Sequence, residues 1–252
     1  MNINTLRFKS AFKAMGVHFG LSLLVAAIIA FLVFTAWFPY PYRELAGGSE
    51  LFMLVIVVDL VCGPLLTLVL YSPTKPKREM LTDISLIVVI QLMALCYGIW
   101  TVWQVRPLYV VQEADRLTII SRANLALNEL DSLPNELKPT YFGGPVQVSL
   151  RDLTALEIEK LTAEIKSGGH DASEHPSLFV KFDGNKAYKN AHPLDQLKKL
   201  RPELVSQSTD NKSQDVNAKI EQMRYLYLVG RNYWIAIINS EGKTLGFVKD
   251  QI

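Results

Sequence analysis

VVDLVCGPLLTLVLYSPTKPKRE, residues 57–79, sets one carboxylate, Asp59, inside an apolar run. Four residues later comes the step Gly63-Pro64, and the stretch ends in a basic loop broken by Pro73 and Pro76. Read as a helix, its apolar part covers residues 51–71. A segment of about 20 residues rising about 1.5 Å each matches the hydrocarbon core of a bilayer. Two more runs of that kind occupy residues 17–37 and 84–103, and none follows Gln104. Half of the 252 residues are hydrophobic and the mean hydropathy is +0.18, too apolar for an ordinary soluble domain of this length. The sequence therefore predicts a membrane α-helical region of three transmembrane helices followed by a small α+β domain.

Charge in the short loops sets the expected orientation. Arg7, Lys9 and Lys13 precede the first run, and Lys75, Lys77 and Arg78 lie between the second and third. Between the first and second, Arg43 is offset by Glu44 and Glu50. Residues 1–16 then form a cytoplasmic N-terminus, 17–103 the transmembrane region, and 104–252 an exported domain, periplasmic in a Gram-negative cell. Trp37, Phe38, Tyr40 and Tyr42, and on the third run Trp100, Trp103 and Tyr109, fit aromatic belts at the outer interface. The first run is read as a retained anchor rather than a signal peptide, because it is long and ends in Thr35-Ala36-Trp37-Phe38-Pro39 without a small-x-small site.

In the remainder, residues 108–111 and 117–120 read as strands around a turn at Ala114-Asp115-Arg116. A strand at 146–150 leads to a helix over about 152–166, with Leu153, Leu156, Leu161 and Ile165 near helical spacing and Gly168-Gly169 as its stop. Residues 177–182 read as a strand, 194–200 as a short helix and 207–214 as a polar loop. Residues 225–229, 233–239 and 244–248 are β-rich, the last two forming a C-terminal β-hairpin around Ser240-Glu241-Gly242-Lys243. A small sheet with one or two packed helices is expected.

Chemistry-bearing motifs are scarce. The sequence has no phosphate-binding glycine loop, no Cys-x-x-Cys, no His-Glu-x-x-His and no Asp-x-Asp. His170 and His175, beside Asp171 and Glu174, offer a loose metal set, but their polar surroundings favour a solvated loop. Cys62 and Cys96 both fall in the apolar runs, where they serve as small packing residues. Seven basic and five acidic residues lie up to Trp103, and 19 of each follow, so no basic face points to nucleic acid. No cofactor and no catalytic residue is expected.

Asp59 sits near the middle of its span, where a carboxylate costs about 2.5–3.5 kcal/mol on insertion scales. One reading is an interhelical hydrogen bond, with Gln91 or Tyr97 of the antiparallel third helix at the same depth. The other is a docking or proton-handling group. Gly63-Pro64 frees a backbone carbonyl and lets another helix approach closely. An intramembrane aspartyl protease is excluded, because the second carboxylate, Asp83, starts the third helix about 18 Å of helical rise away. The loop from Ser72 to Glu79 reads as an anchor on anionic headgroups or as a partner site, the former preferred.

The ordered set Trp37-Phe38-Pro39, Pro41-Tyr42, Asp59-Leu60-Val61-Cys62-Gly63-Pro64-Leu65-Leu66-Thr67, Lys75 and Asp83 resembles the TfpX/TfpZ-type accessory proteins of type IV pilin systems. So do Arg106-Pro107, Asp115-Arg116 and Leu228-Val229-Gly230-Arg231. The resemblance covers nearly the whole chain, least between about 133 and 217. It implies a non-enzymatic inner-membrane factor that supports the stability or assembly of a major pilin, with the lipid bilayer as its other contact. Asp59, Gly63 and Pro64 are then partner-binding candidates, joined through the resemblance by Asp115, Arg116 and Arg231, and the hairpin edge offers strand addition. Competing readings are a membrane-anchored enzyme modifying pilin or envelope glycans, and an envelope sensor with a ligand-binding exported domain.

Overall fold

A computed structural model describes residues 3–200 and 223–249. The polar loop expected at 207–214 lies outside them. The chain forms two compact units, Met1–Thr35 with Gly48–Gln104, and Ala36–Gly47 with Val105–Ile252.

The chain starts with helix α1 (Ile3–Leu32), prolonged by a π-helical turn over Val33–Trp37, and continues through α2 (Tyr42–Leu45), α3 (Gly48–Leu70) and α4 (Lys77–Gln104). The helices at Arg7–Trp37, Gly48–Leu70 and Lys77–Gln104 are long and apolar enough to cross a membrane. They outrun the apolar segments. α1 begins in a polar-apolar stretch free of proline and glycine, and α4 begins directly after Pro76 with Glu79 in its first turn, where the helix dipole favours an acid. Within the first unit α3 packs along both α1 and α4. Its buried stripe is Phe52, Ile56, Gly63 and Thr67, at helical spacing. Gly63 and Gly98 mark the close approaches. A Cβ on Gly63 would stand 2.0 Å from the Gln91 amide nitrogen, and one on Gly98 2.4 Å from Val55 Cγ1. Pro64 sits inside α3 without ending it.

The second unit is built on one mixed sheet: β1 (Pro107–Gln112), β2 (Arg116–Ser121), β3 (Val146–Leu150), β4 (Phe179–Lys181), β5 (His192–Pro193), β6 (Arg224–Val229), β7 (Tyr233–Ile238) and β8 (Thr244–Lys249). The order is β4-β3-β1-β2-β6-β7-β8, with β5 beside the start of β6. β1 pairs in parallel with β3 and β2 with β6, and the remaining pairs are antiparallel. The helices are α5 (Ala155–Lys166), α6 (Gly184–Asn190) and α7 (Leu194–Leu200).

Both hairpins and the C-terminal strands lie where the period-2 pattern puts them. The sheet is larger than the expected one because its two parallel pairings join segments far apart in sequence, which no local pattern reveals. β7 is buried on both faces. On one face Trp234, Ala236 and Ile238 meet Leu226, Leu228, Ala187, Ala191 and Leu45. On the other Ile235 and Ile237 meet Tyr225, Leu194 and Leu197. A third cluster gathers Tyr109, Val111, Val148 and Phe179.

Smaller departures have local causes. α5 starts at Ala155 because Thr154 caps it, its hydroxyl accepting from Glu157 N–H in a capping box. The strand expected over 177–182 shortens to β4, since Pro176 opens a 3₁₀ turn over Pro176–Leu178. α6, not expected from the sequence, is opened by Asp183, whose carboxylate accepts from Lys186 N–H at 3.0 Å.

The main departure is at Ala36–Gly47. The sequence ends the first span at Trp37 and treats the residues after it as a connection between spans, yet all of Ala36–Gly47 belongs to the second unit. Leu45 and Phe38 are 0% exposed, so Phe38 is a core residue rather than part of an aromatic belt. Trp37 Nε1 donates to Tyr141 C=O at 3.0 Å. Arg231 N–H donates to Leu45 C=O at 2.8 Å, and Asn232 Nδ2 to Glu44 C=O at 2.9 Å. Arg106, 1% exposed, donates to the carbonyls of Thr140, Tyr141 and Gly143, and burial pulls its guanidinium down to about 10.

Candidate functional site

Two polar places stand out, one in each unit. In the first, Gln91 Nε2 donates to the Asp59 backbone carbonyl at 3.2 Å and to Asp59 Oδ1 at 3.3 Å. Of the two expected partners it is Gln91 that meets Asp59, while Tyr97 is 69% exposed. Gly63 makes this possible, because its missing side chain is the space the Gln91 amide fills. Pro64 has no N–H to give the Leu60 carbonyl, so α3 is locally richer in acceptors beside Asp59. Two turns of α1 join the same place: His18 and Ser22, with Leu21 and Val25, line a hollow of about 210 Å³ together with Asp59, Gln91 and Leu92. His18 Nδ1 lies 2.5 Å from Thr67 Oγ1. A second hollow of about 520 Å³ shares His18, Leu21 and Val88 and adds Ser10, Lys13 and Tyr71. Together they make a groove between α1 and α4 floored by α3, apolar on its walls and polar in its depth.

The sequence finds Asp59, Gly63 and Pro64 and offers Gln91, but misses His18, Ser22 and Thr67. Their only local signal is a polar residue in an apolar run, and 49 residues separate His18 from Thr67. In the following loop Lys75 Nζ lies 2.6 Å from Asp83 Oδ2 and 3.6 Å from Glu79 Oε1. The hydrogen bond to Asp83 holds the Lys75 ammonium above its ordinary range.

The three candidates of the second unit do not converge. Arg116 braces the β1–β2 turn, donating to Glu113 Oε2 through Nε at 2.8 Å and Nη2 at 2.5 Å. That bond raises its already high value. Asp115, at the same turn, stands 3.4 Å from His192 Nε2. Arg231 follows β6, at the opposite end of β2, where its side chain crosses Gly47. Gly47 has φ +71°, and a Cβ there would be 2.7 Å from Arg231 Nη1. Arg231 lines a cleft of about 410 Å³ with residues 118–121 of β2, Asp171 and Glu174. His175 is not part of a solvated loop. Its side chain is 12% exposed, with Nδ1 2.9 Å from Glu129 Oε1 and Nε2 3.4 Å from Glu164 Oε1. Among the described residues no three His, Cys, Asp or Glu side chains gather as a metal set.

Known proteins similar to this chain share one description. A family model described as "Fimbrial assembly protein FimB" matches residues 6–47, which reach from α1 through the connection packed into the second unit. The "Fimbrial assembly protein, serogroup I" of Dichelobacter nodosus is 36% identical over 242 residues, 94% of each chain. The serogroup E1 protein of the same organism is 34% identical over 242 residues, again 94% of each. The protein of serogroups C1 and C2 is 44% identical over 128 residues, 51% of this chain and 98% of that one. No solved structure matches.

Proposed function

This chain belongs to the family of fimbrial assembly proteins, and from that premise we propose that it serves the biogenesis of type IV fimbriae as a non-enzymatic accessory factor of the bacterial inner membrane. Its N-terminus is cytoplasmic and its second unit periplasmic in this reading, as the loop charges favour. It supports the stability or assembly of the pilin by holding the apolar helix of that subunit in the bilayer.

The observation that carries the reading is the groove between α1 and α4. Hydrocarbon chains satisfy no hydrogen bonds, and polar groups at bilayer depth face protein or water. Gln91 is the side chain that bonds Asp59 among the described residues, and Ser22 and His18 line the same hollow. A partner helix laid in the groove covers these groups, and its own small or polar residues can bond them.

A photoreactive residue at Leu92, which lines the groove, tests this against one at Met93, its exposed neighbour on another face. Crosslinking to the fimbrial subunit in native membranes is expected from position 92 and not 93, and is lost on Asp59→Leu. Equal crosslinking from both positions, or none, overturns it.

A further inference from the structure

Tyr141 and Phe142 are 76% and 77% exposed, more than any other large hydrophobic side chain among the described residues, those of the three long helices included. Two adjacent bare rings on a folded surface mark a contact with a protein or a membrane. Their backbone is pinned. Buried Arg106 donates to the carbonyls of Thr140, Tyr141 and Gly143, and Trp37 Nε1 donates to that of Tyr141. Gly144 packs so closely that a Cβ there would stand 3.1 Å from Pro39 Cγ. With three carbonyls drawn onto one guanidinium, the turn shows its surroundings the two rings.

The same bonds fix the depth at which the turn stands. Trp37 is the last residue of the helix at Arg7–Trp37, and the apolar run of that helix ends with it. Arg106 lies two residues beyond the helix at Lys77–Gln104, whose apolar run ends at Trp103. Two residues of chain reach about 7 Å at most. The turn is thus bonded to the chain at both points where it leaves the hydrocarbon on this side, in or beside a headgroup layer roughly 5–8 Å thick. Charge agrees with that place. No Asp, Glu, Lys or Arg lies between Lys138 and Arg151, so no ion has to be desolvated there. Tyrosine brings an apolar ring with a hydroxyl that stays wet, the combination that suits a membrane interface.

We propose that Tyr141 and Phe142 are a lipid-binding finger, seated among the phospholipid headgroups on the side of the bilayer where the second unit folds. Lipid is the occupant because the two tethers hold the rings at the depth that headgroups already fill. The finger adds a contact with the membrane outside the three spans and holds that part of the second unit to the surface. It rests on the spans alone and not on the assembly role proposed above.

Fluorine NMR on the full-length protein tests this, with para-trifluoromethyl-phenylalanine in place of Phe142. The side chain itself is then the probe, and its exposure leaves room for the added group without disturbing the fold. The protein is placed in nanodiscs of phosphatidylethanolamine and phosphatidylglycerol, which leave both faces open to water. Two relaxation agents are compared: a phospholipid spin-labelled near the top of its acyl chain, and a gadolinium chelate confined to water. Broadening by the lipid label is expected to exceed that by the chelate about threefold or more, as for a ring at the interface. The same probe at Tyr141 is expected to give the same ranking. Equal or stronger broadening by the chelate puts the rings in water and overturns the proposal. Broadening by neither agent puts them under protein, and overturns it in favour of a protein contact.

Discussion

Gly63 shows how much one missing side chain does. The Gln91 amide fills the space of its absent Cβ and thereby reaches both acceptors of Asp59. Gly63→Ala is expected to push Gln91 aside and cost at least the roughly 0.6 kcal/mol typical of an interhelical polar contact. Because Gln91→Ala removes the same contact, the double variant should cost clearly less than the sum of the singles, read from unfolding in mixed micelles. Additive costs would detach Gly63 from Asp59. At this scale the sequence was informative where polarity broke an apolar run. Asp59 and Gln91 were legible because helical rise puts them at one depth. The His18–Thr67 contact was not, because α1 has no depth marker to set its register against α3. Arg116 and Arg231 were legible only as motif members, and their braces depend on the turn and on Gly47.

At the scale of elements, α5 gives a test with a sign. Its cap Thr154 bonds Glu157, and Glu157 is pulled down to about 2, first by the Arg151 guanidinium and then by the Thr154 backbone and hydroxyl donors. A carboxylate depressed in the folded state stabilises fully above its ordinary value of 4.5 and loses that contribution as pH falls toward about 2. Helix content of α5 followed by hydrogen exchange should therefore drop between pH 4.5 and 2, and Glu157→Gln should flatten that dependence. Thr154→Ala should cost about 1 kcal/mol at neutral pH. Strands β1, β2, β3 and β6 to β8 were legible because alternation or continuous β-branched runs mark them. α6 was not, as seven residues with one buried alanine carry no period.

Across the whole molecule, a residue between the first two spans helps hold together a unit formed mostly after the third. Leu45→Ala should cost about 2–5 kcal/mol, and the amides that lose protection should be those of β6 and β7, which its cluster includes. Protection lost in α3 instead would contradict the assignment of Leu45 to the second unit. Nothing local announces this role, since Ala36–Gly47 has the length and turn residues of an ordinary connection.

Ala36–Gly47 and Val105–Ile252 make one folded body and are separated in the chain by α3 and α4. They can meet only on the same side of a bilayer, so the chain must cross it an even number of times between them. Two crossings satisfy that parity and one does not. A variant whose α4 fails to insert, such as Val89→Arg with Leu92→Arg, strands the two pieces on opposite sides, and protease resistance of the second unit should vanish with it. Completion of the second unit is therefore expected to report whether both helices between its two pieces have inserted.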